Sequence, residues 1–204
     1  MKFIVLGDKF QKGMKSKGCP ALIKTQDNVP VFVRQYEVIK TKYPSSEIVY
    51  VSGFESKRLN NYLLKNHMPD ISLVFNENYG TSGDGHSLSL VSNSLDDDTF
   101  IIFGHTFLCR QMFSRFNLNN GSQIMISPND NNLGCILNDG VVTNIAFDLP
   151  TSIDNIYYVS KTDIDMLSEY ATQTRYRNYF TFELINKMIA RGVDIKPFYN
   201  KRGR

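Results

Sequence analysis

Four lysines crowd the loop behind the first apolar run. Phe3-Ile4-Val5-Leu6 meets Gly7-Asp8, and Lys9, Lys12, Lys15 and Lys17 follow, with Gly13 among them. Ammonium groups, and backbone N–H groups that glycine leaves accessible, attract phosphate oxygens. The loop is therefore a candidate phosphate cradle; a solvated basic loop is the plainer alternative. A second segment of small residues, Tyr79-Gly80-Thr81-Ser82-Gly83, could let a flat ring lie against backbone. The plainer alternative there is a loop entering a helix. Asp84 and His86 are polar neighbours of unassigned use. A third candidate is Gly104-His105, directly after the apolar run Thr99–Phe103. Neutral imidazole suits Zn²⁺ or Fe²⁺ better than hard Mg²⁺. The acidic triplet Asp96-Asp97-Asp98 precedes that run and so falls at its far end, where a helix terminus or solvated turn accounts for it. His67, beside Met68-Pro69, reads as a loop residue, and His86 as a surface or capping residue.

The elements that must position these groups alternate through the first half. Strands are predicted over Phe3–Leu6, Glu47–Val51, Ile71–Phe75 and Thr99–Phe103, each a short apolar run of the kind covered on both faces. Helices are predicted over Val29–Lys42, over Glu55–Asn66 with Leu59, Tyr62 and Leu63 on one face, and over Ser87–Leu95. Strand–helix alternation predicts an α/β doubly wound, mostly parallel (mixed) sheet flanked by helices, in which ligands gather at the carboxyl ends of the strands. The second half predicts strands over Ser122–Ile126, Leu133–Leu137, Val141–Phe147 and Ile156–Val159, with a β-hairpin turning at Asn138-Asp139-Gly140. A helix over Phe180–Arg191, C-capped by Gly192, and an edge strand over Val193–Tyr199 close the chain. Phe103, Phe107, Phe113 and Phe116 are expected in the core. Without a linker or internal repeat, residues 1–204 read as one α/β domain.

Composition excludes several classes. A net charge of +3 does not imply nucleic acid. No apolar run approaches the roughly 20 residues of a membrane span, and the N-terminus is no signal peptide, so a cytoplasmic protein is expected. Cys19, Cys109 and Cys135 are too scattered for a zinc site or disulfide framework. The abundance of Asn, Lys, Ile, Phe and Tyr is what AT-rich coding produces, as in a phage or other virus.

In order and spacing, several segments resemble the sugar-phosphate nucleotidylyltransferase family. Ile4-Val5-Leu6, its loop, Met14, Pro20 and Leu22 resemble the family's opening strand, glycine-rich loop and Pro-Lys-x-Leu. Asn28-Val29-Pro30-Val31 resembles the start of its next helix, and Glu47–Gly53 with Phe54 its second strand. Asn76–Leu90 resembles the base-recognition loop and helix, and Asp98–Phe107 the strand ending in Gly-Asp. Leu133–Pro150 resembles the hairpin that reads into Glu-Lys-Pro, and Asn155–Val159 the strand after it. The resemblance implies a nucleotide-diphospho-sugar transferase fold. It implies transfer of a nucleoside monophosphate from a triphosphate to a sugar phosphate or similar ester, with Mg²⁺ if active and pyrophosphate released.

The chemical positions of that resemblance are largely replaced. The family's Gly-x-Gly-x-Arg falls on Lys9, Gln11 and Gly13; its lysine after proline is Ala21, with Lys24 a poor substitute; its Gly-Asp is Gly104-His105; its Glu-Lys-Pro is Asp148-Leu149-Pro150. Val193–Tyr199 resembles the strand before the family's second metal carboxylate, and Lys201-Arg202-Gly203-Arg204 follows it here. The carboxyl edge of the sheet is therefore expected to lack acidic oxygens for a magnesium–triphosphate complex, and no cofactor is expected. Weak nucleotide-binding candidates remain: Lys9, Lys12, Gly13, Gly80, Thr81 and Gly83. The first functional expectation is a degenerate nucleotidyltransferase-like binding, structural or assembly module, with a nucleotide or protein partners as ligands. The second is an active nucleotidyltransferase using the lysine loop, with Asp8, Asp84 or His105 near the metal. A glycosyltransferase of related architecture is a third reading, disfavoured because its Asp-x-Asp pair should follow the fourth strand.

Overall fold

The computed structural model of the chain describes residues 1–9, 13, 15–68, 70–113, 116–127 and 129–199. Three helix-linked strands open the chain: β1 (Lys2–Gly7), β2 (Glu47–Ser52) and β3 (Ile71–Phe75). Helix α1 (Val31–Lys42) joins the first two and α2 (Ser56–Lys65) the second pair. Strand β4 (Thr99–Phe103) returns beside β1, with Ile4 opposite Ile101. These four strands are mutually parallel, so their carboxyl ends Gly7, Ser52, Phe75 and Phe103 form one edge.

Beyond β4 the sheet becomes mixed. Strand β5 (Gln123–Ile126), the hairpin β6 (Leu133–Asn138) and β7 (Val141–Phe147), β8 (Thr151–Val159) and β9 (Lys196–Tyr199) complete nine strands among the described residues. The order is β3-β2-β1-β4-β8-β5-β9, with β8 antiparallel to both β4 and β5 and β6 pairing β7 and β8. The hairpin turns at Asp139 and Gly140, whose φ angles of 49° and 78° are those of a tight primed turn. The edge strand β9 runs parallel to β5.

Strict alternation along the central strands gives each face its own core. Ile4, Leu6, Val49, Val51 and Ile101 pack under α3 (Asp84–Ser89), α4 (Ile164–Thr172), α5 (Thr181–Ala190) and the hairpin. Phe3, Val5, Ile48, Tyr50, Phe100 and Ile102 pack under α1 and α2. Both faces are dry, which is why these strands are continuously apolar. No helix among the described residues is long and apolar enough to cross a membrane. All three cysteines are free thiols, and Cys19 and Cys135 are buried.

Several expectations need correction. The helix expected over Ser87–Leu95 begins at Asp84, ends at Ser89, and is followed by a separate 3-10 turn at Ser92–Ser94. Strand β8 begins at Thr151, five residues before the apolar stretch Ile156–Val159, because its first half pairs with β6 instead of the core sheet. Helix α4 was not expected at all, although Ile164, Leu167, Tyr170 and Ala171 are buried at helical spacing. Of the four phenylalanines assigned to the core, Phe107 is 53% exposed. It follows β4 in a loop at the carboxyl edge, where it has no opposing layer.

Candidate functional site

The carboxyl edge is built from backbone that only glycine permits. A Cβ on Gly7 would overlap the Tyr50 hydroxyl, and one on Gly104 would meet Gly7 Cα and the same hydroxyl. The ends of β1 and β4 thus close tightly around Tyr50. The residue directly after β1, Asp8, is fully buried. Its Oδ2 accepts hydrogen bonds from Asn76 Nδ2 (2.8 Å) and Ser87 Oγ (2.8 Å), and Lys9 Nζ lies 3.0 Å away. Lys9 also donates to Ser82 Oγ (3.1 Å) and to the Tyr79 carbonyl (3.2 Å). Lys9 therefore bolts β1 to the segment after β3 and uses its donors in doing so. Asn76 Oδ1 in turn accepts from the Asn78 N–H, fixing that segment from inside.

Asp84 is the second buried acid at this edge. It opens α3, and its Oδ2 accepts from the Thr181 N–H (3.0 Å) and Thr181 Oγ1 (3.2 Å), so it caps the N-terminus of α5 as well. Burial pushes its carboxyl up to about 6, and the nearby Asp8 charge adds to the rise while Thr181 and Lys9 oppose it. The expectation of a carboxyl edge without acidic oxygens is thus overturned. The acids are Asp8, directly after β1, and Asp84, at the start of α3, the two that the active-enzyme reading of the sequence set beside His105.

These groups border a cavity of about 890 Å³, within the ordinary range for small-molecule sites. Lys9, Asp84 and His105 lie on one side. Asn129, Asn131, Asp154 and Asn155 come from the segment before β6 and from β8. Phe107, Phe147 and Phe180 line it while remaining 53%, 55% and 50% exposed. Desolvation holds the His105 imidazole below its ordinary range, which favours its neutral form. Asn131 Nδ2 donates to the Ile153 carbonyl (2.9 Å) and to Asp154 Oδ1 (3.3 Å), which orients the carboxylate. The hairpin wall is tied to α5 by Asn186. Its Oδ1 accepts from the Ile145 N–H (2.9 Å) and its Nδ2 donates to the Ile145 carbonyl (2.7 Å).

The sequence candidates fall in different places. Lys9 and the Gly80–Gly83 segment do meet, through Ser82 and Tyr79. Gly80 has open space where a Cβ would stand, and Thr81 is exposed. Gly83 is needed for packing, since a Cβ there would collide with the Asn178 backbone, and its N–H donates to the Arg177 carbonyl. Gly13 is an exposed turn residue with φ 83°, and Lys12 lies outside the described residues. His86 sits near Asn78 and Ser89 on the outer side of α3. Asp96, Asp97 and Asp98 lie at the opposite, amino edge: Lys2 pairs with Asp96, the N-terminal ammonium with Asp97, and Asp98 accepts from Tyr158 and the Lys161 N–H. The sequence reading missed Asn131, Asp154, Phe147 and Phe180, which gather only when the hairpin folds back over α5. Their one local signal was exposed aromatic residues flanking turn-like segments.

Comparison with solved structures gives an unambiguous architecture. The chain superposes on a CTP:phosphocholine cytidylyltransferase from Streptococcus pneumoniae with a TM-score of 0.76, at 15% identity, covering 98% of this chain and 90% of that one. The fold is nucleotidyltransferase-like. An inositol-1-phosphate CTP transferase from T. maritima superposes with a TM-score of 0.74 at 13% identity, covering 97% of this chain and 84% of that one. A UDP-glucose pyrophosphorylase complexed with UDP-glucose gives 0.68 at 16% identity, covering 98% and 91%. No protein-family model matches the sequence, and no curated protein matches it. At these identities the nucleotidyltransferase-like superpositions speak for the fold and for nothing chemical.

Proposed function

We propose that this chain is a non-catalytic binding module on a nucleotidyltransferase-like fold, holding a small polar molecule in the cavity over the carboxyl edge. The observation that supports it is the state of Lys9. It is the one lysine or arginine on the cavity wall among the described residues. It is already shared between Asp8, Ser82 and the Tyr79 carbonyl. A nucleoside triphosphate brings several negative charges, and phosphoryl transfer needs cations aimed at them. Here a buried carboxylate stands on the strand end where a phosphate would approach.

Mg²⁺ does not fit the described donors. Asp8 Oδ2 is occupied by Asn76, Ser87 and Lys9 and Asp84 Oδ2 by Thr181, which leaves the buried Asp8 Oδ1 as the one Asp8 oxygen without a partner, and the loop after β4 carries the imidazole of His105. Among the described residues no group of three or more His, Cys, Asp or Glu side chains could hold a metal ion. A hard cation prefers several oxygens, so no step through the metal is derived. The open space at Gly80 and the exposed Thr81 would still accept a nucleobase without its phosphates being chemically engaged.

The active-enzyme reading keeps one observation in its favour, the two carboxylates Asp8 and Asp84 at the edge where ligands gather. Calorimetry with CTP, UTP, ATP and GTP, with and without Mg²⁺, together with a pyrophosphate-release assay on added sugar phosphates, separates the two. The binding module gives no pyrophosphate and no Mg²⁺ dependence of binding. Mg²⁺-dependent nucleotide binding with stoichiometric pyrophosphate release would transfer the case to the enzyme.

A further inference from the structure

We infer that β3 pairs with the β3 strand of a second copy of this chain, antiparallel across a two-fold axis at Leu73, so that two sheets join into one. The pairing is independent of what the cavity holds.

The two outer strands of the sheet order are β3 and β9. An edge strand offers unpaired N–H and C=O groups to any other strand, and proteins blunt that hazard with lysine or proline on the edge. Strand β9 carries both, as Lys196 and Pro197. Strand β3 reads Ile71-Ser72-Leu73-Val74-Phe75 and carries neither, nor any charge. It has no strand on its outer side among the described residues. Phe75 is 50% exposed there, and Ser72 is exposed as well.

The inner side of β3 decides which backbone groups face out. The Asn76 N–H donates to the Ser52 carbonyl (2.8 Å), and the Val74 carbonyl accepts from Ser52 Oγ (3.2 Å). Val74 and Asn76 therefore turn their polar groups toward β2. Alternation then turns those of Ile71, Leu73 and Phe75 toward the open edge. These three positions are their own complement. With Leu73 opposite the partner's Leu73, Ile71 falls opposite the partner's Phe75, and Phe75 opposite the partner's Ile71. Each pair joins outward-facing residues, and each exchanges both N–H···O bonds in the antiparallel geometry. A slip of one residue would set outward groups against inward ones, so the register is fixed.

Side chains and charge agree with that register. Ile71 and Leu73 pack into the core under α1 and α2, and alternation puts Phe75 on the same face. A two-fold axis normal to the sheet keeps the faces in common. The half-exposed Phe75 ring then lies beside the partner's Ile71, an aromatic and β-branched pair of the kind that stabilises sheets, and the axis repeats it. Asp70, the charged residue just before the strand, is already paired with Lys40 at 2.8 Å and falls opposite the partner's Asn76, so no like charges are directly opposed there.

Sedimentation velocity of the full chain from about 1 to about 300 μM tests this, and a contact this short should give a reversible dimer with Kd on the order of 10–100 μM. Ser72→Lys and Phe75→Lys, at exposed positions, should each weaken the dimer at least about tenfold and leave the melting temperature at about 1 μM unchanged. In amide hydrogen exchange followed by NMR, the Ile71, Leu73 and Phe75 N–H groups should slow as concentration rises, and those of Ser72 and Val74, which face β2, should not. A chain that stays monomeric throughout would overturn the inference and leave the edge to a strand of a different protein. A dimer that both lysine variants leave intact, or growth beyond a dimer, would overturn it too.

Discussion

The two ends of the parallel strands both gather aspartates, and they treat them differently. At the amino edge Asp96, Asp97 and Asp98 form a conspicuous triplet, and each is matched. Lys2 Nζ is 2.6 Å from Asp96, the N-terminal ammonium 2.5 Å from Asp97, and Asp98 accepts from Tyr158 (2.7 Å) and the Lys161 N–H (2.8 Å). These groups are largely solvated, and the pairings hold the start of the chain against β4. At the carboxyl edge Asp8, Asp84 and Asp154 are scattered through the sequence; Lys9 pairs with Asp8, while Thr181 holds Asp84 and Asn131 holds Asp154. The contrast teaches that a run of acids can be structural while isolated ones carry the unbalanced charge. Burial separates the two cases for Asp8 and Asp84, because water compensates a surface carboxylate whereas a buried one depends on the few protein groups that reach it.

Strand β4 runs between the edges, so breaking it should erase both. Ile101 is fully buried at its centre, and Ile101→Asp should cost more than about 5 kcal/mol and leave no cooperative folded state. A soluble variant with the parent melting temperature would refute the placement of β4. Removing the single cation of the carboxyl edge comes next. Lys9→Ala leaves Asp8 buried without its partner and should cost about 3–5 kcal/mol in urea unfolding, with an unchanged m-value. A loss below about 1 kcal/mol would mean that the lysine is only a surface charge.

The third effect is a pH dependence. The Asp84 carboxyl titrates near 6 when folded against 3.8 as a free group, so the folded state holds the proton more tightly. The stability this lends is fully present below about pH 4 and is lost as pH rises through 6, a change on the order of 3 kcal/mol. Asp84→Asn should therefore gain on the parent protein between pH 5 and pH 8 and not at pH 4, in paired unfolding curves. A pH-independent difference would place the titration elsewhere. The smallest effect belongs to the amino edge. Lys2→Ala should cost at most about 1 kcal/mol, shrinking further in 1 M salt, since Asp96 is well exposed. Together, a large Lys9 effect and a small Lys2 effect would sharpen the distinction; equal effects would dissolve it.

Much of the fold was legible for one reason: the central strands are buried on both faces. Ile71–Phe75, Thr99–Phe103 and Val141–Phe147 coincide with the apolar runs that predicted them, and Asp139-Gly140 marks its own turn. Helix α3 was displaced because its first turn is Asp84-Gly85-His86-Ser87, a polar stretch whose helicity depends on tertiary contact. Gly85 there passes close to the Tyr176 carbonyl, where any Cβ would collide. The candidate site was less legible. Position-by-position resemblance drew attention to His105 and the lysine loop, and set Asp8 and Asp84 beside them only in the active-enzyme reading. Phe147 and Phe180 lie 33 positions apart in sequence and look like stray surface rings until the hairpin brings them together at 6.2 Å. No local pattern encodes that meeting.

Asn186 gives the cavity a mechanical character. A single carboxamide grips both polar atoms of Ile145, so strand β7 and helix α5 share one rivet. Phe147 rides on one of these parts and Phe180 and Phe182 at the head of the other. Any opening of the mouth must then either carry the strand and helix as one lever or shear that rivet, so a side chain outside the cavity wall holds the gap between the rings.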